Sequence, residues 1–231
     1  GCELLEQISL PSSVTLIGDH SFEGCLSLSK ITIPSSVKTI GSNLFEGCSS
    51  LIQVTLQSPI PAIESNTFGG CTSLKQITIP QTVSIIKSNA FETCSSLEQI
   101  TIPSSVIKIE KCAFIGCESL IQIEIPTSVK SIGENCFEKC TKLTHLIINP
   151  YQTSISNNTF DKYLSLNHLM LSPTIKQTSN FDYNKIGKIT EITLPLSVTS
   201  IGEYSFFECS SLIKITIPKS VKSIGDHSFE G

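Results

Sequence analysis

Residues 25–47 read CLSLSKITIPSSVKTIGSNLFEG, and this 23-residue pattern recurs along the whole chain. Cysteines follow one another every 23 residues from Cys2 to Cys140, and the phase returns at Cys209. Ten units without insertion or deletion therefore run from Cys2 to Gly231. A fixed period of this length indicates a solenoid, in which each unit stacks on the next. The units are 2–24, 25–47, 48–70, 71–93, 94–116, 117–139, 140–162, 163–185, 186–208 and 209–231.

Numbering each unit from 1 at its cysteine position shows which positions are apolar. Position 4 is always Leu or Ile, and positions 7 and 9 are always aliphatic. Alternation at positions 7 to 9 predicts a short strand, which Pro ends at position 10 because it cannot donate to a ladder. A second extended stretch fits positions 13 to 16, and Gly at position 17 permits a turn. The small residues that lead to the Phe at position 21 favour a tight 3₁₀ or helical turn. One unit cannot bury its own core, so stacking must bury it between neighbours.

The unit C-x-x-L-x-x-I-x-I-P-x-x-V-x-x-I-G-x-x-x-F-x-x, complete in residues 25–47, closely resembles the BspA-like leucine-rich repeats. The resemblance covers essentially the whole chain. It implies one domain, residues 1–231, folded as a right-handed superhelix with a parallel β-sheet on its concave face and 3₁₀ or helical turns on its convex side. Members are typically secreted or cell-surface proteins associated with adhesion to host matrix proteins and cells. The resemblance therefore implies an extracellular or cell-surface location and a host protein as partner, and it supplies no catalytic residues.

Catalytic and cofactor signatures are missing from the sequence. It contains no P-loop, no H-E-x-x-H, no G-x-G-x-x-G and no G-x-S-x-G. The run Asp19-His20-Ser21 recurs as Asp226-His227-Ser228, but three adjacent side chains rarely converge as a triad does. We interpret both runs as exposed turns. The sequence predicts no enzyme and no cofactor.

The charge pattern restricts the class of partner. The net charge is −4, and all 16 fixed positive charges are scattered lysines, because the chain has no Arg. This distribution argues against a nucleic-acid partner. No run of 18 apolar residues exists, so no membrane-spanning segment is expected.

Eight of the ten cysteines share position 1, and we call these eight the ladder cysteines. Their side chains should point in parallel, which disfavours disulfides and favours free, buried thiols that act as small hydrophobes. Two further cysteines, Cys112 and Cys136, form C-x4-C and C-x3-C with Cys117 and Cys140. Because the ladder cysteines should point inward, we expect no convergence on a metal ion. The sequence leaves undecided whether Cys112 and Cys136 form a disulfide.

Positions 6 and 8 should point out from the strands. Most units place Gln at position 6 and Thr at position 8, as in Gln76 and Thr78. Stacked Gln side chains could hydrogen-bond along the rod, or they could merely solvate and stiffen it.

The pattern is irregular at residues 140–185. Position 10 loses its Pro at Asn149 and Ser172, and position 13 becomes Gln152. Four substitutions change the strand face itself, and we call these residues the strand-face patch: His145, Ile147, His168 and Met170. Aromatic residues cluster nearby in sequence: Tyr151, Tyr163, Phe181 and Tyr183.

A contiguous exposed patch of apolar and aromatic groups often marks an interface. We therefore predict that the strand-face patch contacts a protein partner; the alternative is a degenerate pair of units without function. The leading functional hypothesis is a protein-binding adhesion module outside the cell. Neither end carries a polar capping unit, so a longer array, or self-association through the solenoid ends in a structural or assembly role, is the second hypothesis. Free cysteines also suit a reducing compartment, which leaves an intracellular scaffold open.

Overall fold

The computed structural model describes residues 1–151, 153–156, 159, 166–179, 181–183, 186 and 188–231. Within them the chain forms 19 short strands in two series. The face strands occupy positions 6 to 9 of their units: β2 (Lys30–Ile33), β4 (Gln53–Leu56), β6 (Gln76–Thr78), β8 (Gln99–Thr101), β10 (Gln122–Glu124), β12 (His145–Ile148), β14 (His168–Leu171), β16 (Glu191–Thr193) and β18 (Lys214–Thr216). The side strands occupy positions 15 and 16: β1 (Leu16–Ile17), β3 (Thr39–Ile40), β5 (Ala62–Ile63), β7 (Ile85–Ile86), β9 (Lys108–Ile109), β11 (Ser131–Ile132), β13 (Ser154–Ile155), β15 (Gln177–Thr178), β17 (Ser200–Ile201) and β19 (Ser223–Ile224).

Every pairing between these strands is parallel and joins residues 23 apart, as in Lys30 with Gln53 and Leu16 with Thr39. The face strands pair as β2–β4, β6–β8 and β10–β12–β14–β16–β18. The side strands pair as β1–β3, β5–β7–β9–β11–β13 and β15–β17–β19. One unit is therefore one turn of a parallel-strand solenoid, which confirms the fold class predicted from the repeat.

Alternation along the face strands separates the core from the surface. In β2, Ile31 and Ile33 are buried while Lys30 and Thr32 are exposed. The Phe side chains at position 21 form a continuous column from Phe22 to Phe137, with neighbouring ring centroids 5.3–5.7 Å apart and planes within 17°. Each ring in this column buries its apolar surface against the same ring of the next unit, so the units depend on one another for their core.

The cysteine at position 1 lies beside this column. Five of the position 1 cysteines donate their thiol hydrogens to the backbone carbonyl of a Phe that lies 26 residues earlier, two units before. The pairs are Cys48 to Phe22, Cys71 to Phe45, Cys94 to Phe68, Cys117 to Phe91 and Cys140 to Phe114, at 3.0–3.3 Å. All ten cysteines are free thiols. Each of these Phe carbonyls also accepts the amide of the cysteine three residues after it, as Phe22 does from Cys25 at 3.3 Å, so the thiol supplies a second hydrogen bond to a buried carbonyl.

The structure does not confirm the predicted 3₁₀ or helical turn before the Phe: the described regular units have single hydrogen-bonded turns there, such as Glu23 N–H to the His20 carbonyl at 3.2 Å, and no helix. Residues at positions 19 and 23 have left-handed backbones, with φ of 57° at His20 and 63° at Gly24. Alternate amides point to the next unit: His20 N–H to Ser42, Phe22 N–H to Leu44 and Gly24 N–H to Glu46. A right-handed helix cannot continue through left-handed residues. The amides that a helix would need for its own hydrogen bonds donate instead to carbonyls of the next unit. Consecutive turns therefore stand in place of a helix. Backbone hydrogen bonds between neighbouring units join these turns, as they join the face strands and the side strands.

Candidate protein-binding face

The structure brings the four residues of the strand-face patch together. His145 and Ile147 lie on β12, where they alternate with the buried Leu146 and Ile148. On the adjacent β14, His168 lies opposite His145 and Met170 lies opposite Ile147. All four side chains are half-buried. They form a two-by-two array on the surface of the sheet, as the repeat register predicted.

The two imidazole rings contact each other edge to face, with centroids 5.0 Å apart and planes at 65°. Thr144 Oγ1 lies 2.8 Å from Nδ1 of His145. Thr193 Oγ1, on the neighbouring β16, lies 2.8 Å from Nε2 of His168. Each ring therefore has a hydroxyl partner that fixes its orientation, so the array is preorganised.

Charged residues border the patch rather than occupy it. Along position 6, His168 is followed by Glu191 and then Lys214, which form an ion pair of 2.6 Å. Burial lowers the pKa of His168, and the neighbouring His145 and Lys214 lower it further against the opposing effect of Glu191. The lowered pKa favours the uncharged form of the His168 ring. Aromatic and apolar side chains with charged residues at their border are the composition of protein–protein interfaces.

The aromatic residues near the patch in sequence do not line it. Tyr183 is buried, stacks on Phe206 at 5.5 Å and accepts or donates a hydrogen bond at 3.0 Å with the hydroxyl of Tyr151. Phe181 packs edge to face on both tyrosines, at 6.4 and 5.1 Å. Tyr163 and Gln152 lie outside the described residues. These aromatic rings fill the core of the irregular units, so the exposed surface is the strand-face patch.

The Gln and Thr residues of the regular units line a groove, which sequence reasoning did not find. The groove runs across the strands between the two rows of side chains: Gln53, Gln76 and Gln99 on one wall, and Thr55, Thr78 and Thr101 on the other. It continues toward the first unit past Gln7, Ser9, Lys30 and Thr32. Within the described part of the chain, none of these side chains forms a hydrogen bond. Of the two alternatives for the Gln side chains, the structure therefore does not show hydrogen bonds between them along the rod.

The Asp19-His20-Ser21 run does not form a catalytic triad. Asp19 Oδ1 accepts from the Ser42 amide at 2.7 Å, Ser21 Oγ donates to the Gly18 carbonyl at 2.8 Å, and His20 Nδ1 lies 2.5 Å from Glu23. The three side chains point to three different partners, which agrees with the predicted exposed turn.

One group of three potential metal-ligating side chains occurs among the described residues: His20, Glu23 and Glu46, whose ligand atoms lie within 4.8 Å of one another. Sequence reasoning missed this group because Glu46 comes from the next unit, 23 residues after Glu23. The cysteines considered for zinc do not form such a group in that part of the chain, since the thiols of Cys117 and Cys140 are directed at core carbonyls.

No helix in the described part of the chain is long and apolar enough to cross a bilayer.

A stack of 23-residue units, nine of which have a parallel face strand in the described residues, around a core built mainly from Leu, Ile, Cys and Phe, defines a leucine-rich-repeat solenoid. The profile of the BspA type leucine rich repeat region matches residues 1–121 and 108–231, in six copies. The chain belongs to the BspA-type leucine-rich-repeat family.

Several solved structures of leucine-rich-repeat proteins are similar to this chain. A leucine-rich repeat protein from Bacteroides ovatus is 28% identical, with a TM-score of 0.67 over 100% of this chain and 71% of that protein. The leucine-rich repeat protein of T. pallidum is 24% identical over 96% of this chain and 71% of that one, with a TM-score of 0.39. A leucine rich cell surface protein from Faecalibacterium prausnitzii is 21% identical over 91% and 86%, with a TM-score of 0.36. No curated protein sequence matches the chain.

Proposed function

We propose that this chain is a non-catalytic protein-binding module that acts at the cell surface or outside the cell, in adhesion to host or matrix proteins. The single observation that supports this proposal is the strand-face patch itself. Four adjacent, half-buried imidazole and apolar side chains replace the Gln and Thr of the regular units and are held in place by the sheet register. Apolar and aromatic groups that exclude water at the centre of a contact supply most of the binding energy of protein interfaces.

Family membership supports the same proposal at a coarser level. The BspA-type solenoid is a repeat scaffold whose stacked units present one extended face. In this chain the irregular units change that face from polar to apolar without changing the backbone register. A surface that gains apolar side chains at exposed positions, while its fold stays regular, is better explained by a partner than by stability.

The test is binding of the purified chain to immobilised host-matrix proteins, measured beside a variant of the patch. The variant carries His145→Gln, Ile147→Thr, His168→Gln and Met170→Thr, which installs the residues that the regular units use at these positions. It should fold as the original does, because these residues lie on the solvent side of β12 and β14. A matched control carries Thr15→Val and Thr39→Val, two exposed Thr residues outside both the patch and the face strands.

Saturable binding that the patch variant loses and the control keeps would support adhesion through the patch. Equal binding by the original chain and the patch variant would contradict the assignment of the site. Absence of binding by a folded, monodisperse chain would contradict the adhesion role and favour assembly.

Self-association is the second candidate. Leu196 and Ile213 are 81% and 85% exposed in neighbouring units, and exposed apolar surface of this kind can mark a contact between copies. Sedimentation velocity across a concentration series tests it. A concentration-dependent increase that Leu196→Lys and Ile213→Lys abolish would support assembly, and a constant monomer would exclude it.

A further inference from the structure

The groove between the Gln and Thr rows is separate from the strand-face patch and has a different chemistry. Its walls are the position 6 and position 8 side chains of the first five units, and its floor is the backbone between them, at residues such as Ile77 and Ile100. Residues two apart on a strand are separated by about 7 Å, so the groove is narrow. It runs along the solenoid axis, since it crosses one face strand after another.

The walls of the groove are polar but almost uncharged. Lys30 is the one ionised side chain among the positions 6 and 8 of the first five units. No aromatic ring, Met or Arg occurs at these positions. Such side chains are the usual anchors of protein interfaces, so the groove does not have the composition that a protein partner requires.

The hydroxyl and amide groups of the groove are free to bind a ligand. None of the Gln or Thr side chains at these positions forms a hydrogen bond within the described chain. Several Ser and Thr hydroxyls outside the groove instead donate to a carbonyl of the preceding unit, as Thr72 does to Ser49 at 3.3 Å and Ser105 does to Val83 at 2.6 Å. The groove therefore presents donors and acceptors that the fold itself does not use.

These groups also have a regular spacing. Parallel strands stack about 4.8 Å apart, so each of the first five units except the second offers one amide and one hydroxyl at that interval on opposite walls, and the second offers Lys30 and Thr32. A linear polymer that lies along the axis would meet the same pair of groups at four of the five units. Many weak contacts in series then add to a useful affinity, although each contact alone is weak.

We propose that the groove from Gln7 to Thr101 binds a neutral, linear, hydroxyl-rich polysaccharide. Hydroxyl groups are both donors and acceptors, as are the Gln amide and the Thr hydroxyl, and a neutral chain needs no ionic partner. An extended peptide is the less suitable occupant, because it would cross the strands, could not pair with their backbone, and would find no apolar pockets for its side chains. The affinity depends on the length of the polymer rather than on one terminal sugar.

The test is affinity electrophoresis of the 231-residue chain in native gels that contain a soluble polysaccharide. The probes are galactomannan, xyloglucan and mixed-linkage β-glucan, with alginate as the charged polymer and gelatin as the polypeptide. The variant carries Thr55→Val, Thr78→Val and Thr101→Val, which removes the hydroxyl row while keeping side-chain shape and strand preference. The matched control carries Thr15→Val and Thr39→Val, two exposed Thr residues outside the groove.

We expect at least one neutral polysaccharide to retard the original chain and the control, and the Thr row variant to lose about fivefold or more in affinity. Retardation should increase with the length of the oligosaccharide. The patch variant should be retarded like the original chain, so this result is independent of the protein-binding proposal. The proposal is overturned if no neutral polymer retards the folded chain, if the Thr row variant binds equally, or if alginate or gelatin binds through the Thr row instead.

Discussion

Cys94 donates its thiol hydrogen to the carbonyl of Phe68, 26 residues earlier in the chain, at 3.1 Å. The same contact recurs along the regular units, and it ties the first position of each unit to the aromatic column of an earlier one. The cysteine thus fills a small space in the core and adds a second hydrogen bond to a buried carbonyl that already accepts the Cys71 amide at 3.1 Å. Alanine would leave part of that space empty and could not donate the hydrogen bond.

Replacing Cys94 with Ala should lower the free energy of unfolding by about 1–3 kcal/mol, because the change leaves a small cavity and removes one of the two hydrogen bonds that the Phe68 carbonyl accepts. Urea denaturation followed by circular dichroism measures this loss. Cys2→Ala is the matched control, since Cys2 occupies the same unit position but is exposed, and it should change stability by no more than about 0.5 kcal/mol. Equal effects of the two substitutions would show that the thiol contact contributes nothing.

The ladder thiols should resist alkylation in the native protein. Burial raises the pKa of Cys48 and of Cys140 to about 12, so almost none of either is thiolate at pH 8. A colorimetric thiol reagent at pH 8 should therefore react rapidly with the exposed Cys2 and slowly with the rest. In denaturant without reductant, all ten thiols should react. A count of eight would indicate a Cys112–Cys136 disulfide and contradict the free thiols seen here.

The aromatic column predicts a position-dependent cost of removing a ring. Phe91 is fully buried and stacks on Phe68 and Phe114, both at 5.3 Å. Phe91→Ala should cost about 3–5 kcal/mol of unfolding free energy. Phe229 is 42% exposed and stacks only on Phe206 among the described ring pairs. Phe229→Ala should therefore lower the unfolding free energy clearly less than Phe91→Ala does. Equal losses, measured by chemical denaturation, would mean that neighbouring units do not share the core as described.

Two adjacent glycines test the left-handed position at the end of each unit. Gly70 has a φ of +71°, and a Cβ there would lie 3.4 Å from Gly47, whereas Gly69 has no left-handed φ and its Cβ would make ordinary contacts from 3.5 Å. Gly70→Ala should lower the unfolding free energy by about 1–2 kcal/mol, because alanine is strained in this conformation. Gly69→Ala, as the control, should be close to neutral in the same thermal or chemical denaturation. A reversed order would contradict the backbone geometry at this turn.

The His168 ring predicts a pH dependence of stability. Its pKa is lowered chiefly by burial, so the folded chain binds the proton less readily than the unfolded chain. The sign follows from proton linkage: this contribution to stability is complete above the ordinary pKa near 6.5 and is lost as the pH falls through the folded value.

Proton NMR titration of the four histidines, assigned with His168→Gln, should place the His168 midpoint below 6.5. Between pH 7 and pH 5, the original chain should lose more stability than His168→Gln does. A midpoint at or above 6.5 would contradict the burial of this ring in the patch.

The repeat and its consequences could be predicted from the sequence because they are local and periodic. Cysteine spacing gave the unit length, and the alternation at Ile31 and Ile33 gave the strand and its buried face. Constant unit length then placed His145 beside His168 without any structure, since residues 23 apart must pair in register. The position of the strand-face patch was predictable for this reason, while its role in binding remains a proposal.

The turn before the Phe could not be predicted in the same way. Small residues between positions 18 and 21 are compatible with a helical turn, and nothing local reveals that the amide of His20 bonds to Ser42 of the next unit. Asn, which tolerates a left-handed backbone, occupies this position in four units, but His20, Cys112 and Tyr204 adopt the same conformation, so residue type alone does not mark the turn. The hydrogen bonds between neighbouring units determine the backbone conformation of this turn.

The sequence by itself determined the solenoid, its unit, the register of its parallel strands and the side chains that face inward, because a period of 23 residues leaves one way to stack apolar columns. Only the tertiary structure decided which polar groups bond across units and which stay free. It placed the hydroxyl of Thr72 on a neighbouring carbonyl, left those of Thr78 and Thr101 open to the groove, and buried Tyr183 against Phe206 in the core. The physical reason is that hydrogen bonds and ring contacts between units depend on distances that arise after the turns have stacked.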